Sequence, residues 1–297
     1  MLLYAYRARD ARRLERRTRR RLALEMITMP SAAGADRFEF TTDLIMEAGD
    51  LAMRYFGSVN ELTITSKGAQ DMVSEADIAV EELIKKRLLA AYPDDAYLGE
   101  ETGYVKGNED SGIWIVDPID GTQPFLSGLR SWCISIAYVR ADEVLLGMVN
   151  NPAAGELFVG GMGRTAELNG RPIAPRRAQS LSDGLTFLGC NPRLRSEQVV
   201  PVLDRLLRGG GMFVRSGSGA LGLCDVACGR LIGYVEAHIN PWDCLGGIAV
   251  CSSAGARVSD YLADDNLLHG GPLVAGSPEV FDQLVAVLGS PAIPATR

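Results

Sequence analysis

The sequence predicts a mixed α/β protein, an α+β layered fold in two lobes. Three observations carry this reading. Runs with helical period alternate with short apolar runs, residues 132–168 read as an antiparallel meander, and the two strand-like runs before it end in acidic residues. With 297 residues and 47% apolar side chains, the chain is long enough for one large domain or two joined ones.

Residues 1–36 are expected to be a basic extension outside the fold. Residues 1–30 hold nine arginines against Asp10, Glu15 and Glu25, a net of +6, while the whole chain carries −7, leaving −13 for the rest. The apolar stretch Leu22–Met29 is short and broken by Glu25, unlike an export signal, and transit peptides are poor in acids. A solvated leader, or residues upstream of a start at Met26 or Met29, is the preferred reading. A basic helix that touches membrane or nucleic acid is the competing one.

The first lobe is expected over 37–178. Residues 41–56 read as an amphipathic helix with Thr41 or Thr42 near its cap and Gly57 at its end. A short strand LTITS follows. Residues 75–92 predict a second helix, with Val80, Ile84, Leu88 and Ala91 on one face and Glu81, Glu82, Lys85 and Lys86 facing water. Then come the runs AYLGEE and GIWIVDPID, and the meander with turns at Ala141-Asp142, Asn151-Pro152 and Gly160-Gly161. A polar, turn-rich stretch marks the boundary near 178.

The second lobe, 179–297, alternates helix and strand. Helices are expected at 195–208, 219–229 and across WDCLGGIAVCSSAG, with strands MFVR, LIGYVEA and PLVAG between them. The last helix is expected to begin at Ser277-Pro278, with Val280, Phe281, Leu284, Val287 and Leu288 as its apolar face.

Composition narrows the chemistry. So acidic a body disfavours nucleic acid as a partner, because phosphates must be met by basic surface. Two histidines leave little room for a His-rich zinc site, so a bound metal would be a hard cation on carboxylates. Six cysteines without a CxxC pair read as free thiols in a reducing cytoplasm. No run reaches the roughly 18 apolar residues of a membrane-spanning helix, so no membrane is expected.

Four features could carry chemistry, and each alone has an ordinary explanation. Asp117-Pro118-Ile119-Asp120-Gly121-Thr122 follows an apolar strand and reads equally as a turn. As a site, Asp117, Asp120 and the Ile119 carbonyl offer three oxygens to a hard cation, and Gly121 and Thr122 offer N–H groups to an anion. Gly99-Glu100-Glu101 reads alone as an acidic turn, Asp243 as a helix cap, and Ser74 with Asp77 as caps for the next helix. Together, Glu100, Asp117, Asp120 and Asp243 all sit at strand ends or helix starts, which converge at one edge of an α/β layout. Gathering that many like charges implies divalent metal. Cys244, beside Asp243, has no nearby histidine to activate it and reads as helix core.

The ordered set GEE, WIVDPIDGT and PWDCLGG resembles the inositol monophosphatase family, over roughly residues 38–290. The resemblance implies an α/β/α/β/α sandwich of the sugar-phosphatase type, assembled as a homodimer. It implies a lithium-sensitive phosphomonoesterase using about two or three Mg2+ on a small phosphate monoester such as inositol monophosphate. One metal would lie on Glu100, Asp117 and the Ile119 carbonyl, a second on Asp117, Asp120 and Asp243. Thr122 with Asp77 would orient the attacking water, and Gly121 and Thr122 would hold phosphate. Asp120, Gly217, Ser218, Gly219, Glu236 and Asp243 would contact substrate. After DPIDGT the run Gln123-Pro124-Phe125-Leu126-Ser127-Gly128 looks more like the histidinol-phosphatase branch, and the resemblance also extends to bisphosphate nucleotidases.

Overall fold

A computed structural model describes residues 36–68, 71–109, 111–191, 193–263 and 265–289. The readings placed on the Arg-rich leader before Asp36 lie outside these residues.

Helix α1 (Arg37–Phe56), the hairpin β1 (Ile64–Gly68) and β2 (Asp71–Ser74), and helix α2 (Glu75–Ala91) come first. Strands β3 (Ala96–Gly99), β4 (Gly103–Val105), β5 (Ile113–Asp120), β6 (Cys133–Arg140), β7 (Glu143–Asn151), β8 (Glu156–Gly161), β9 (Glu167–Leu168) and β10 (Arg171–Pro172) form an eight-stranded sheet. Its order is β10-β9-β8-β7-β6-β5-β3-β4, so β6 to β9 are the meander predicted over 132–168, which β5 and β10 extend; Gly160 and Gly161, expected in a turn, pair with Gly147 and Leu146 of β7 and belong to β8. A short helix α3 (Thr122–Leu126) joins β5 to β6.

A second sheet holds β11 (Leu185–Leu188), β12 (Met212–Val214), β13 (Gly233–Ile239), β14 (Arg257–Val258) and β15 (Gly271–Gly276), in the order β12-β11-β13-β15-β14. Its helices are α4 (Ser196–Arg208), α5 (Gly219–Ala227), α6 (Pro241–Ala254), α7 (Asn266–His269) and α8 (Phe281–Leu288). Helices α1 and α2 cover the outer face of the large sheet. Between the sheets lie α5 and α6, and α4 with α8 cover the far face of the small one. The result is an α/β/α/β/α sandwich.

Burial of both sheet faces explains why β6 reads as a continuous apolar run. Ile134, Ile136 and Tyr138 pack under α1 and α2, while Cys133, Ala137 and Val139 face α5 and α6. A strand covered on both sides needs apolar residues at both phases of its two-residue period.

Local chemistry moves three expected features. Helix α1 begins at Arg37, because Asp36 caps it by accepting from Glu39 N–H at 2.8 Å. Thr41 is therefore inside the helix, its hydroxyl bonded back to the Arg37 carbonyl at 2.6 Å. Helix α8 begins at Phe281, not at Ser277, because the Ser277 hydroxyl is committed to the Arg176 carbonyl. Glu81, expected to face water, is fully buried.

Helix α1 is locked to the large sheet through Asp95. That buried carboxylate accepts from Arg37 at 2.9 Å, from the Trp114 indole at 3.0 Å and from the Tyr138 hydroxyl at 3.2 Å. The Arg37 guanidinium also lies over the Tyr92 and Tyr138 rings, 4.4 and 4.8 Å from their centroids. Removing one partner of such a pair strands the other's charge. Asp95→Ala should therefore cost about 3–5 kcal/mol in urea unfolding; a loss below about 1 kcal/mol would show that the pair does not hold α1.

Candidate active site

Parallel pairing creates the site. Strands β3 and β5 run side by side with Gly99 opposite Val116, so both chains leave the sheet at one edge. Glu100 stays tied to that edge by its N–H to the Val116 carbonyl, at 3.2 Å. On β5 the ladder to β6 slips between Asp117, opposite Ser135, and Asp120, opposite Cys133. This bulge puts three β5 steps against two on β6 and turns both aspartates to the same side. Asp117 closes the turn by accepting from Ile119 N–H at 3.0 Å.

The second lobe delivers two helix N-termini to the same place. Asn240 and Pro241 start α6, which brings Asp243 in its first turn, with the Asn240 amide 3.2 Å from the Asp243 carboxylate. Ser218 starts α5. Its hydroxyl donates to Asp120 Oδ2 at 2.6 Å, joined by the N–H groups of Ala220 at 2.7 Å and Gly219 at 3.3 Å. The positive end of α5 thus compensates part of the Asp120 charge.

Carboxylate oxygens of Glu100, Asp117 and Asp243 lie within 4.8 Å of one another. Asp120 lines the same cleft, with its oxygens on α5. All donors here are hard oxygens, the set that suits a small divalent cation. Beside them, Gly121 adopts φ +98° and starts α3. The Thr122 hydroxyl is 3.3 Å from both Asp77 Oδ1 and the Ile119 carbonyl. Asp77 is buried and shares a capping box with Ser74, as the helix-cap reading also expects.

The cleft encloses about 690 Å³, ample for a small phosphate ester. Gly217, Gly219 and Glu236 line it. Ser218 does not: it is fully buried beneath the wall, because its hydroxyl serves both the start of α5 and Asp120. Cys244 is buried with its thiol against the Asn240 carbonyl at 3.2 Å, the expected core role.

Sequence reasoning missed several residues here. Asn191 donates to Glu236 Oε1 at 3.3 Å, and the Tyr234 hydroxyl donates to Glu236 Oε2. Arg193 and Arg215, both exposed, line the cleft. Glu81 carries the turn after Glu100. Only Glu81 left a signal: with Asp77, Val80, Ile84 and Leu88 it follows the buried face of α2.

Burial and crowding raise the carboxyl pKa values. Asp117 is pushed well above the usual range, by burial first and then by the charges of Glu100, Asp120 and Asp243. Burial and the Asp243 charge bring Asp120 up to about 7, against the opposing pull of Ser218 and α5. Burial lifts Glu236 to about 8, and raises Asp77 and Asp243 as well.

Five alternating layers with a carboxylate cluster at the edge of one sheet define a sugar-phosphatase-type fold, and the class is a phosphoric monoester hydrolase. The sequence model of the inositol monophosphatase family matches residues 35–289, and the chain belongs to that family. It is 36% identical to the Nus factor SuhB of Xylella fastidiosa over 251 residues, 82% of this chain and 90% of that one. With the inositol-1-monophosphatase of Mesorhizobium japonicum it shares 35% over 251 residues, 83% and 93% of the two chains. Among solved structures, the SuhB protein of Bartonella henselae superposes with TM-score 0.79 at 29% identity, covering 86% of this chain and 99% of that one. The Thermotoga maritima IMPase superposes with TM-score 0.75 at 30% identity, covering 85% and 96%.

The raised values have a consequence for stability. Above about pH 4 the unfolded chain has released protons that these carboxyls still hold when folded. Their contribution to the stability of the metal-free protein is thus fully present below that pH and is lost as pH rises through the folded values, about 7 for Asp120 and about 8 for Glu236. Divalent metal competes with the same protons, so its affinity rises over that window. Melting in a chelator should give a Tm that falls between about pH 5 and pH 8.5, and added Mg2+ should raise Tm more at the upper end. A Tm that climbs with pH in the chelator would contradict these assignments.

Proposed function

We propose that this phosphatase is Mg2+-dependent and hydrolyses a small polyol phosphate, with inositol monophosphate as the leading substrate. The observation that carries the reading is the approach of Glu100, Asp117 and Asp243 to within 4.8 Å, beside the turn in which Gly121 starts α3. Bound at this cluster, about two or three Mg2+ would supply the Lewis acidity that activates water and neutralises a leaving alkoxide. Glu100, Asp117 and the Ile119 carbonyl would hold one such ion, and Asp117, Asp120 and Asp243 another.

The protein's own groups do the rest. Asp77 accepts from the Thr122 hydroxyl, which leaves a lone pair on the Thr122 oxygen to accept a hydrogen bond from the attacking water and fix its line of approach. The N–H groups of Gly121 and Thr122 hold phosphate oxygens. Glu236, steadied by Tyr234 and Asn191, accepts from hydroxyls of the polyol, against a wall that includes Gly217 and Gly219. Residues of both proposed lobes, 37–178 and 179–297, are needed for one site. Assembly as a homodimer and inhibition by lithium belong to the same proposal, and so does a cytoplasmic location, supported by the free cysteines.

A second reading changes the alcohol. Arg193 and Arg215 put positive charge on the rim of a cleft whose other charged lining residues are carboxylates. That favours a substrate with a second anionic group, as in bisphosphate nucleotidases, over histidinol phosphate, whose amine would meet both guanidinium groups. Phosphate release from inositol 1-phosphate, histidinol phosphate and a nucleoside bisphosphate, each with Mg2+, separates these options. The expected order puts inositol 1-phosphate first and histidinol phosphate last. Asp117→Asn or Asp243→Asn should lower turnover by about a hundredfold or more, in the range seen when a preorganised charge-stabilising group is removed. Wild-type turnover that survives exhaustive chelation would contradict the mechanism.

A further inference from the structure

Helix α2 carries a second buried carboxylate that the proposed chemistry does not use. Glu81 lies one turn beyond Asp77 and is fully buried. Its Oε2 accepts from Glu101 N–H at 2.8 Å. Its Oε1 accepts from Thr102 N–H at 2.9 Å and from the Thr102 hydroxyl. All three donors belong to the turn that begins with Glu100. The backbone makes room for this contact: a Cβ on Gly99 would fall 2.1 Å from Glu81 Oε1.

Burying a carboxylate is costly, and a neutral side chain could close a turn at less expense. What a charged acceptor adds is strength and direction in the bonds it receives. The placement is specific as well. One turn apart on a single helix, Asp77 bonds Thr122 after β5 and Glu81 bonds the turn after β3. These two turns flank the carboxylate cluster, so α2 sets their separation.

We infer that Glu81 is a positioning residue for the metal site, holding the 101–102 turn so that Glu100 is aimed at Asp117 and Asp243. The inference rests on the proposed metal dependence. Its effect falls on affinity for the divalent cation and not on the reaction of the fully loaded enzyme. Groups that orient metal ligands from behind typically change metal affinity by about 10- to 100-fold when replaced.

The test uses Mn2+ as probe and the full chain without substrate, following the free-ion electron paramagnetic signal during titration. Glu81→Gln replaces one acceptor oxygen by an NH2 group that faces backbone donors. It should raise the Mn2+ dissociation constant by about tenfold or more, with kcat at saturating metal close to that of the wild type. Thr102→Val removes one donor and leaves Glu81 in place, and should shift the constant less, in the same direction. Gly99→Ala should act like Glu81→Gln by displacing the carboxylate. If the wild type binds Mn2+ and folded Glu81→Gln titrates identically, the positioning role is overturned while the metal-dependent reading stands. Should Glu81→Gln fail to fold, Thr102→Val decides: a weaker Mn2+ constant supports the inference and an unchanged one overturns it. A wild type that binds no Mn2+ overturns the metal-dependent reading, and this inference with it.

Discussion

Asp120 is where the two sheets meet in a single interaction. It ends β5 of the large sheet, and its carboxylate accepts from Ser218, Gly219 and Ala220 at the start of α5, a helix packed against the small sheet. A buried carboxylate needs such donors, and a helix start presents unpaired N–H groups that need an acceptor. The bond answers both demands and fixes the register of one half of the cleft against the other. Asp243 and Glu236 then face Glu100 and Asp117 because their elements are docked by the same contact. If α5 were displaced, Asp120 would be left buried among like charges and the wall at Gly217 would move with it.

Much of this site was legible because its residues sit at strand ends and helix starts, where short-range sequence signals are strongest. Asp117-Pro118 follows an apolar strand run, Asp243 falls in the first turn of a helix, and Ser74 with Asp77 makes a capping box, each readable within four residues. Parallel pairing of β3 with β5 then converts those local ends into a common edge. The layered architecture itself was legible only through the family resemblance, since periodicity alone does not say which sheet face meets which helix.

What was not legible depends on distant partners. Glu81 looked like a solvent-facing residue because a Glu beside a Glu and two lysines usually is one. Its burial is decided by backbone N–H groups some twenty positions later. Ser277 resembled a helix cap, yet its hydroxyl is bound to the Arg176 carbonyl, about a hundred residues earlier in the chain. Ser218 was expected in the cleft wall, and the need to satisfy Asp120 turned it inward. In each case a polar side chain answers a buried polar group that no local window contains.

The formal charge of −13 over residues 31–297 takes on a different meaning in this setting. A part of it is concentrated beside Glu100 among Asp117, Asp120, Glu236 and Asp243, whose burial favours their protonated forms or a bound cation. An anionic ester can approach such a cluster only once cations have reversed the local field. The most direct measurement is a crystal structure of the wild-type chain grown with Mn2+, using anomalous scattering to locate the ion. The account predicts an anomalous peak among the carboxylates of Glu100, Asp117 and Asp243. A well-ordered cleft without a peak at that position, in crystals saturated with Mn2+, would contradict it.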